Sequence, residues 1–405
     1  MTGKVSVLHI NCNDVSGGAA RAVLRLHHSL LDQGVNSKVL VLRKESDDPN
    51  VFLYKKNGIR LLQKSRRFLD QLPLFFFYRN RTSNKFSTGW LSDQIPKAIE
   101  RFSPDIVHIH WINDGQMSIK SLTKIDSPIV WSMLDMWPFT GGCHYTENCD
   151  RYLDKCGLCP TLGSKGKRDI SYRILLRKRE LFKKNNLHLI AISQWMKERA
   201  EKSFAISKSK IEVIHPGLDL SVYRPHNKSA CRNLFNLPRD KKLLLLTAMG
   251  VTSDPRKGYA VLMDALKAID IKSNENIEVI ILGATHGSID SSLSFNVRFL
   301  GRLISGYGSH DDASLAALYS AVDVTIVPSL QEAFGQTASE SIACGTPVVG
   351  FKDTGVSDII THKVSGYLAK HHDSNDLAKG IQWVLSHLKE NVSLQVSKEA
   401  ERLFS

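Results

Sequence analysis

The sequence predicts an α/β chain folded as two doubly wound, mainly parallel sheets, and three observations carry that prediction. Short apolar runs alternate with stretches of helical periodicity from residue 4 to residue 193, the pattern of consecutive β-α-β units. The stretch 215–240, with Pro216, Pro225 and Pro238, breaks this rhythm, which then restarts and continues to residue 385. A chain of 405 residues is also longer than one ordinary core supports. The expected organisation is an N-terminal domain over 1–215, a connector over 216–240, a C-terminal domain over 241–385 and a tail over 386–405.

In the first half, "KVSVLHIN" reads as a buried strand and "SGGAAR" as a tight turn of small residues. "AVLRLHHSLLDQG" then spaces Val23, Leu26 and Leu30 as one helical face, with Gly34 placed to end the helix. "SKVLVL", "DIVHIHW", "PIVWSML" and "LHLIAIS" read as further strands, and "DISYRILLRKRELFKK" as a basic amphipathic helix before the last of them. In the second half the strands are "KLLLLTA", "IEVIILGA", "VDVTIVPS" and "TPVVGF". The helices between and after them are "KGYAVLMDALKAI", "ASLAALYSA" and "NDLAKGIQWVLSHLKE".

Composition is that of a globular protein, 42% hydrophobic and 23% charged. A net charge of +14 predicts acidic partners: phosphorylated small molecules, anionic lipid or nucleic acid. Nucleic acid explains the charge less well, because the basic segments interleave with Rossmann-like units and no nucleic-acid module is recognisable. The start, "MTGKVSVLHINCND", lacks a basic region followed by a long apolar one, so no signal peptide is expected. The longest apolar knot, "LPLFFFY", is too short to span a bilayer. Seven cysteines, an odd number, fit reduced thiols and a cytoplasmic setting.

The chemistry concentrates in "SLQEAFGQTASESIACGTPVVGF", 329–351, where Glu332 and Glu340 have seven residues between them. On one continuous helix these carboxylates would stand about 12 Å apart, too far to share a proton. "EAFGQ" instead predicts a loop leaving the strand and a helix beginning near Gln336. Its free N–H groups, at Gly335, Gln336 and Thr337, would then bind phosphate. Carboxylates at the two ends suit the vicinal hydroxyls of a sugar and a ribose. A surface loop followed by a solvated helical Glu remains the plainer alternative. Arg256 and Lys257, in a turn before a helix, suit a pyrophosphate or, more plainly, a solvated basic loop. His108 and His110 share one face of a strand, which fits a metal pair or one core histidine beside one at the strand tip.

Taken together, the blocks "AMG…RKG", "ILGA", "FLGRL", "LAALYSAVDVTIVPSLQEAFGQTASESIACGTPVVGF", "GVSDII", "SGYLA" and "DLAKGI" resemble the sugar-donor half of family 4 retaining glycosyltransferases, the GT-B type of group 1. "GGAAR", "DIVHIHWIN", "DMWPFTGGCHY" and "CGLCP" are similar to the subset that assembles bacterial exopolysaccharide and O-antigen. The resemblance implies two Rossmann-like domains facing across a cleft, a nucleoside-diphosphate sugar as donor, and a glycan or lipid-diphosphate-linked acceptor. It assigns the donor sugar to Glu332 with the backbone of Phe334, Gly335, Gln336 and Thr337, and the ribose to Glu340. It assigns the departing diphosphate to Lys257 with Arg256, close approach of the first turn to Gly17 and Gly18, and the reacting centre to His110. No metal is expected in catalysis. The sequence departs from relatives at Val251, where many carry Arg, and at Leu134-Asp135, where many read His-Asp. A GT-B sugar-nucleotide epimerase and a non-catalytic sugar-nucleotide-binding subunit are the competing readings.

Two segments stand outside that site. Cys143, Cys149, Cys156 and Cys159, in the loop 141–160, fit a structural zinc, a disulfide or plain thiols. Residues 57–85 combine seven Arg or Lys with Phe-Phe-Phe-Tyr, which fits peripheral contact with an anionic membrane or a core-packed helix with a solvated basic side. The tail ends earlier than in relatives, so a helix crossing back to the first domain is expected to be short or missing there.

Overall fold

The computed structural model describes residues 4–54, 60–184, 186–206, 210–247, 250, 252–269, 276–285, 295–301, 303, 311–387 and 392–404, without the side chains of 60–64 and 392. The chain divides into two compact units, Met1–Pro216 and Gly217–Ser405.

Seven parallel strands build the sheet of the first unit: β1 (Ser6–Asn13), β2 (Asn36–Arg43), β3 (Val51–Leu53), β4 (Ile106–Ile109), β5 (Ile129–Met133), β6 (Leu187–Ala191) and β7 (Ile211–Val213), in the order β3-β2-β1-β4-β5-β6-β7. The six central residues of β1 are all buried, as expected of a parallel strand covered on both faces. Around the sheet lie α1 (Gly18–Asp32), α2 (Arg60–Phe77), α3 (Ile95–Phe102), α4 (Ile119–Leu122), α5 (Ile170–Leu181) and α6 (Gln194–Glu201). Local chemistry sets their ends. Gly17, at φ 97°, precedes α1, and Gly34, at φ 79°, stops it by donating its N–H to Leu31. Asp169 caps α5 and Ser193 caps α6. β3 and β7, three residues each, are too short to show a period in sequence.

The second unit has six parallel strands: β8 (Lys242–Thr247), β9 (Ile277–Leu282), β10 (Asn296–Gly301), β11 (Val324–Val327), β12 (Val348–Phe351) and β13 (Gly366–Ala369). Their order is β10-β9-β8-β11-β12-β13. Its helices are α7 (Lys228–Leu234), α8 (Tyr259–Lys267), α9 (Asp312–Ala321), α10 (Gln336–Ala343), α11 (Ser374–His387) and α12 (Val392–Phe404). Leu262 and Leu266 of α8 and Leu377 and Ile381 of α11 pack with Leu244, Leu246 and Ile281 of the sheet in one core.

One segment differs from its expected form, and another takes a form the sequence left open. Within 216–240, expected to connect, α7 folds against α9. Buried Arg232 fixes it, donating to the carbonyls of Ala321, Pro238, Arg239 and Lys241 and pairing with Asp323 at 2.8 Å. The three prolines conceal this seven-residue helix from a periodicity reading. The tail, where a crossing helix was expected to be short or missing, forms α12 and seats on α10, with Val396 and Ala400 fully buried. Gly345 permits the contact: at φ 77°, a Cβ there would stand 2.0 Å from the Ser393 hydroxyl.

Both sheets reverse strand order beside their first strand, between β1 and β4 and between β8 and β11. In open α/β sheets, ligands bind outside the carboxyl ends of strands at such switch points.

Candidate functional site

In the second unit, the switch point lies between the turn after β8 and the loop after β11, and the two are laced together. The single 3-10 turn Pro255–Lys257 is capped by Asp254, which accepts from the Arg256 N–H and pairs with its guanidinium at 2.9 Å. Gly258, at φ 72°, then lies flat on the loop: a Cβ there would stand 1.8 Å from the Pro328 carbonyl oxygen. Leu330 donates its N–H to the Arg256 carbonyl, and Arg256 Nη1 donates to the Gln331 carbonyl at 2.9 Å. From the other side, the Gly355 N–H donates to the Glu332 carbonyl at 2.7 Å, and a Cβ on Gly355 would stand 2.4 Å from the Ala333 carbonyl oxygen. The loop is therefore held rigidly on both flanks, as a positioned site requires.

That scaffold brings Lys257 Nζ to 2.8 Å from Glu332 Oε2, with the Ser329 hydroxyl donating to the same oxygen at 3.3 Å. The two charged side chains remain 18% and 16% exposed, so the pair is recessed yet reachable. Burial pushes the Glu332 carboxyl up, but Lys257 and then Arg256 outweigh it and hold the group below the ordinary carboxylate range. Glu332 is thus an anionic hydrogen-bond acceptor at neutral pH.

α10 begins at Gln336 behind Gly335, which adopts φ 101°. Phe334 and Gly335 are buried, and Gln336 and Thr337 half-buried at the helix mouth. Glu340 lies within α10, 1% exposed, and accepts from the Tyr319 hydroxyl at 3.0 Å. The structure therefore gathers Arg256, Lys257 and Glu332 through contacts, and buries Glu340 within α10 against Tyr319. Val251 lies outside the described residues.

In the first unit, the switch point holds Gly17 and Gly18 after β1 and His110 after β4. A Cβ on Gly17 would meet nothing within 4 Å, so its φ of 97°, not crowding, calls for glycine. His110 is buried, with its Nε2 3.0 Å from Nδ1 of His9. The ring of His108 lies 4.0 Å from that of His110 and bonds Ser132 through Nε2 at 2.9 Å. Ligand atoms of His9, His108 and His110 all lie within 4.8 Å of one another. The His9–His110 hydrogen bond engages one nitrogen of each ring, and Nε2 of His9 is buried with no hydrogen-bond partner among the described residues. Burial lowers all three: His108 to about 4, and His9 and His110 well below the ordinary range, the last two also by neighbouring histidines. They stand neutral at physiological pH.

His9 is the residue that sequence reading missed. Its signal lay in the parallel register of β1 and β4, which pairs His9 with His108. Asp135, whose role the departure from His-Asp had put in question, is buried. It accepts from Trp111 Nε1 at 2.7 Å and the Trp137 N–H at 2.8 Å, and lies 2.6 Å from His144 Nδ1. Also missed were Arg43, Arg67 and Lys85, which gather 3.7–3.9 Å from the buried carboxylate of Asp114. Lys85 also lies over the Trp111 ring, 4.1 Å from its centroid. Cys143, Cys149, Cys156 and Cys159 come together around one small void, and all seven cysteines are free.

Comparison with known proteins adds a family to this geometry. Residues 16–222 match the family described as Glycosyltransferase Family 4, and residues 234–401 match Glycosyl transferases group 1. The chain is 32% identical over 187 residues to a D-inositol 3-phosphate glycosyltransferase of Streptosporangium roseum, a match covering 44% of this chain and 42% of that one. Its counterpart in Mycolicibacterium smegmatis is 33% identical over 183 residues, covering 44% and 40%. The chain thus spans about two fifths of the length of these curated relatives. In fold it is similar to sucrose-phosphate synthase of Thermosynechococcus elongatus, with TM-score 0.68, 17% identity and coverage of 99% and 95%. It is also similar to HepE of Anabaena in complex with UDP-glucose, with TM-score 0.64, 17% identity and coverage of 99% and 95%.

Proposed function

The chain belongs to glycosyltransferase family 4, and from that premise we propose that it is a retaining hexosyltransferase. It would move a sugar from a nucleoside-diphosphate sugar to a glycan or lipid-diphosphate-linked acceptor in bacterial surface-polysaccharide assembly. The observation that carries the reading is the Lys257–Glu332 contact on a doubly clamped loop at the mouth of α10.

The chemistry follows from these groups. As the glycosidic bond to the diphosphate breaks, negative charge grows on the leaving oxygen. Lys257, Arg256 and the first N–H groups of α10 supply positive charge and dipoles there, so the reaction needs no metal ion. Glu332, held as a carboxylate, accepts from the donor sugar's hydroxyls, and Glu340 takes the ribose hydroxyls. The leaving phosphate oxygen takes the proton of the acceptor hydroxyl, whose oxygen bonds the anomeric carbon on the face just vacated; configuration is retained. Within the first unit, neutral His110, hydrogen-bonded to His9, would offer a ligand a hydrogen bond rather than a charge.

The acceptor reading rests on the first unit. Three cations sharing the single carboxylate of Asp114 leave an excess of positive charge, which suits a phosphate on the acceptor. On α2, Phe68, Phe75, Phe76 and Phe77 are 48–79% exposed, and Arg79 and Arg81 follow in sequence. That combination suits the headgroup boundary of an anionic membrane, although residues 57–59 of the basic segment lie outside the described residues. No helix among the described residues is long and apolar enough to cross a membrane. Replacing Phe76 and Phe77 with Ser is expected to lower co-sedimentation with phosphatidylglycerol vesicles at least several-fold; unchanged binding would remove the membrane contact.

Radiolabelled UDP- and GDP-sugars incubated with and without lipid-diphosphate glycans test the function. Label is expected in the glycan, with nucleotide release depending on acceptor. Epimerised sugar nucleotide formed without acceptor would establish the epimerase reading. Tight binding with no turnover under any condition would establish a binding subunit.

A further inference from the structure

We propose that Cys143, Cys149, Cys156 and Cys159 form a tetrahedral four-thiolate site for one structural Zn²⁺. The four residues come from separate parts of the loop. Cys143 follows the turn at 140–142, Cys149 precedes the single turn Arg151–Leu153, and Cys156 and Cys159 end the Cys-Gly-Leu-Cys turn. All four nevertheless line one void of about 10 Å³, the room of a single small ion or water. No three of the four sulfurs stand within 4.8 Å of one another, so an ion would draw them inward around this void. Arg151 also lines the void, a cation beside what would be a doubly negative zinc–tetrathiolate. Soft sulfur ligands in fours select zinc over the oxygen-loving cations.

The backbone is shaped for the same end. Cys156, Gly157 and Leu158 adopt φ 58°, 89° and 47° in succession. Non-glycine residues hold the left-handed region only where their surroundings impose it. The surroundings here are a docked turn. Gly157 donates to Ser171 Oγ at 3.0 Å, Leu158 to the Gly166 carbonyl at 2.8 Å, and Cys159 to Asp169 Oδ2 at 3.0 Å. A Cβ on Gly157 would stand 2.1 Å from the Lys167 carbonyl oxygen. Two cysteines are thereby fixed against the start of α5 and face two from the earlier half of the loop. An ion or a disulfide bond could tie the four together, and all four thiols are free.

An ion there would staple residues 141–160 to α5. It would thereby steady the neighbouring network in which Asp135 holds Trp111, Trp137 and His144. The site is structural: four protein ligands leave no open position for substrate. Zinc binding of this kind is independent of the proposed transfer reaction.

Elemental analysis of the purified full-length chain tests it. About one zinc per chain is expected, surviving dialysis against EDTA and released by a thiol-blocking mercurial. Cys156→Ser and Cys159→Ser should each lose most of the zinc, whereas Cys231→Ser, outside the cluster, should keep it. Should those variants fail to fold, cobalt substitution of the unaltered protein should give the charge-transfer and visible bands of tetrahedral cobalt thiolate. Thiol titration in denaturant with EDTA should then count all seven cysteines. Absence of metal with seven titratable thiols would overturn the site, as would a count lowered by disulfides. Zinc that persists in the Cys156→Ser and Cys159→Ser variants would overturn it too, pointing to the histidine cluster instead.

Discussion

Replacing Lys257 by Met should cut sugar transfer about 10²–10³-fold, the loss typical of removing one preorganised group that meets developing charge. The loss should fall on kcat more than on KM, because the diphosphate gains charge as the bond breaks. Lys257 Nζ stands 2.8 Å from Glu332 and is 18% exposed, so it can reach a ligand without leaving its partner. The substitution also strips Glu332 of its nearest cation. A stability loss on the order of 1–3 kcal/mol is therefore expected alongside. Arg256 stays in place through Asp254 and Gln331 and offsets part of it. Single-turnover rates at saturating sugar nucleotide separate the two effects, since a merely structural role would lower the amount of active protein and leave the rate of the folded fraction unchanged.

The first unit should lose stability steeply on mild acidification. Unfolded, His9, His108 and His110 take up protons near pH 6.5. Folded, burial keeps His108 neutral to about 4, and His9 and His110 are lowered well below the ordinary range. The unfolded chain therefore binds more protons throughout that window, and stability falls with pH from about 6.5 to about 4. Each histidine contributes about 1.4 kcal/mol per pH unit, and His108 alone about 3 kcal/mol by pH 4. His27, beside His9, is also lowered, by burial against the opposing pull of Asp48. Glu332 acts in a separate window: its carboxyl lies below its ordinary range, so its contribution is complete above that range and fades only at lower pH. Urea midpoints followed by fluorescence of buried Trp131 and Trp137 at pH 7.5, 6 and 5 check this. A flat profile across those values would contradict buried neutral histidines.

Much of the candidate site in the second unit was legible because its determinants are local. Strand β11, the loop at Ser329–Gly335 and the start of α10 at Gln336 follow from a short apolar run, Phe-Gly and helical spacing within about twenty residues. The Lys257–Glu332 contact was legible only as two separate candidates. Their meeting depends on Gly258 lying on Pro328, a tertiary contact between residues 70 apart. The histidine cluster was half visible: alternation along β4 exposes His108 and His110, but His9 joins them through sheet register, which one strand alone does not encode. The ring of Arg43, Arg67 and Lys85 around Asp114 has no sequence pattern, because its members come from a strand end, a helix and a loop. α7 and α12 were concealed for different reasons. One is only seven residues long amid prolines, and the other is defined by what it packs on.

Transfer by the proposed route rests on a diphosphate held by protein cations and helix dipoles rather than through a bound ion. Calorimetric titration of UDP and GDP in the presence of EDTA, on the unaltered chain and on Lys257→Met, measures this most directly. One of the two nucleotides is predicted to bind fully under chelation, and the substitution to weaken binding about tenfold or more, the worth of one charge-assisted contact. Binding that vanishes with EDTA, or that is equal in the two proteins, would contradict it.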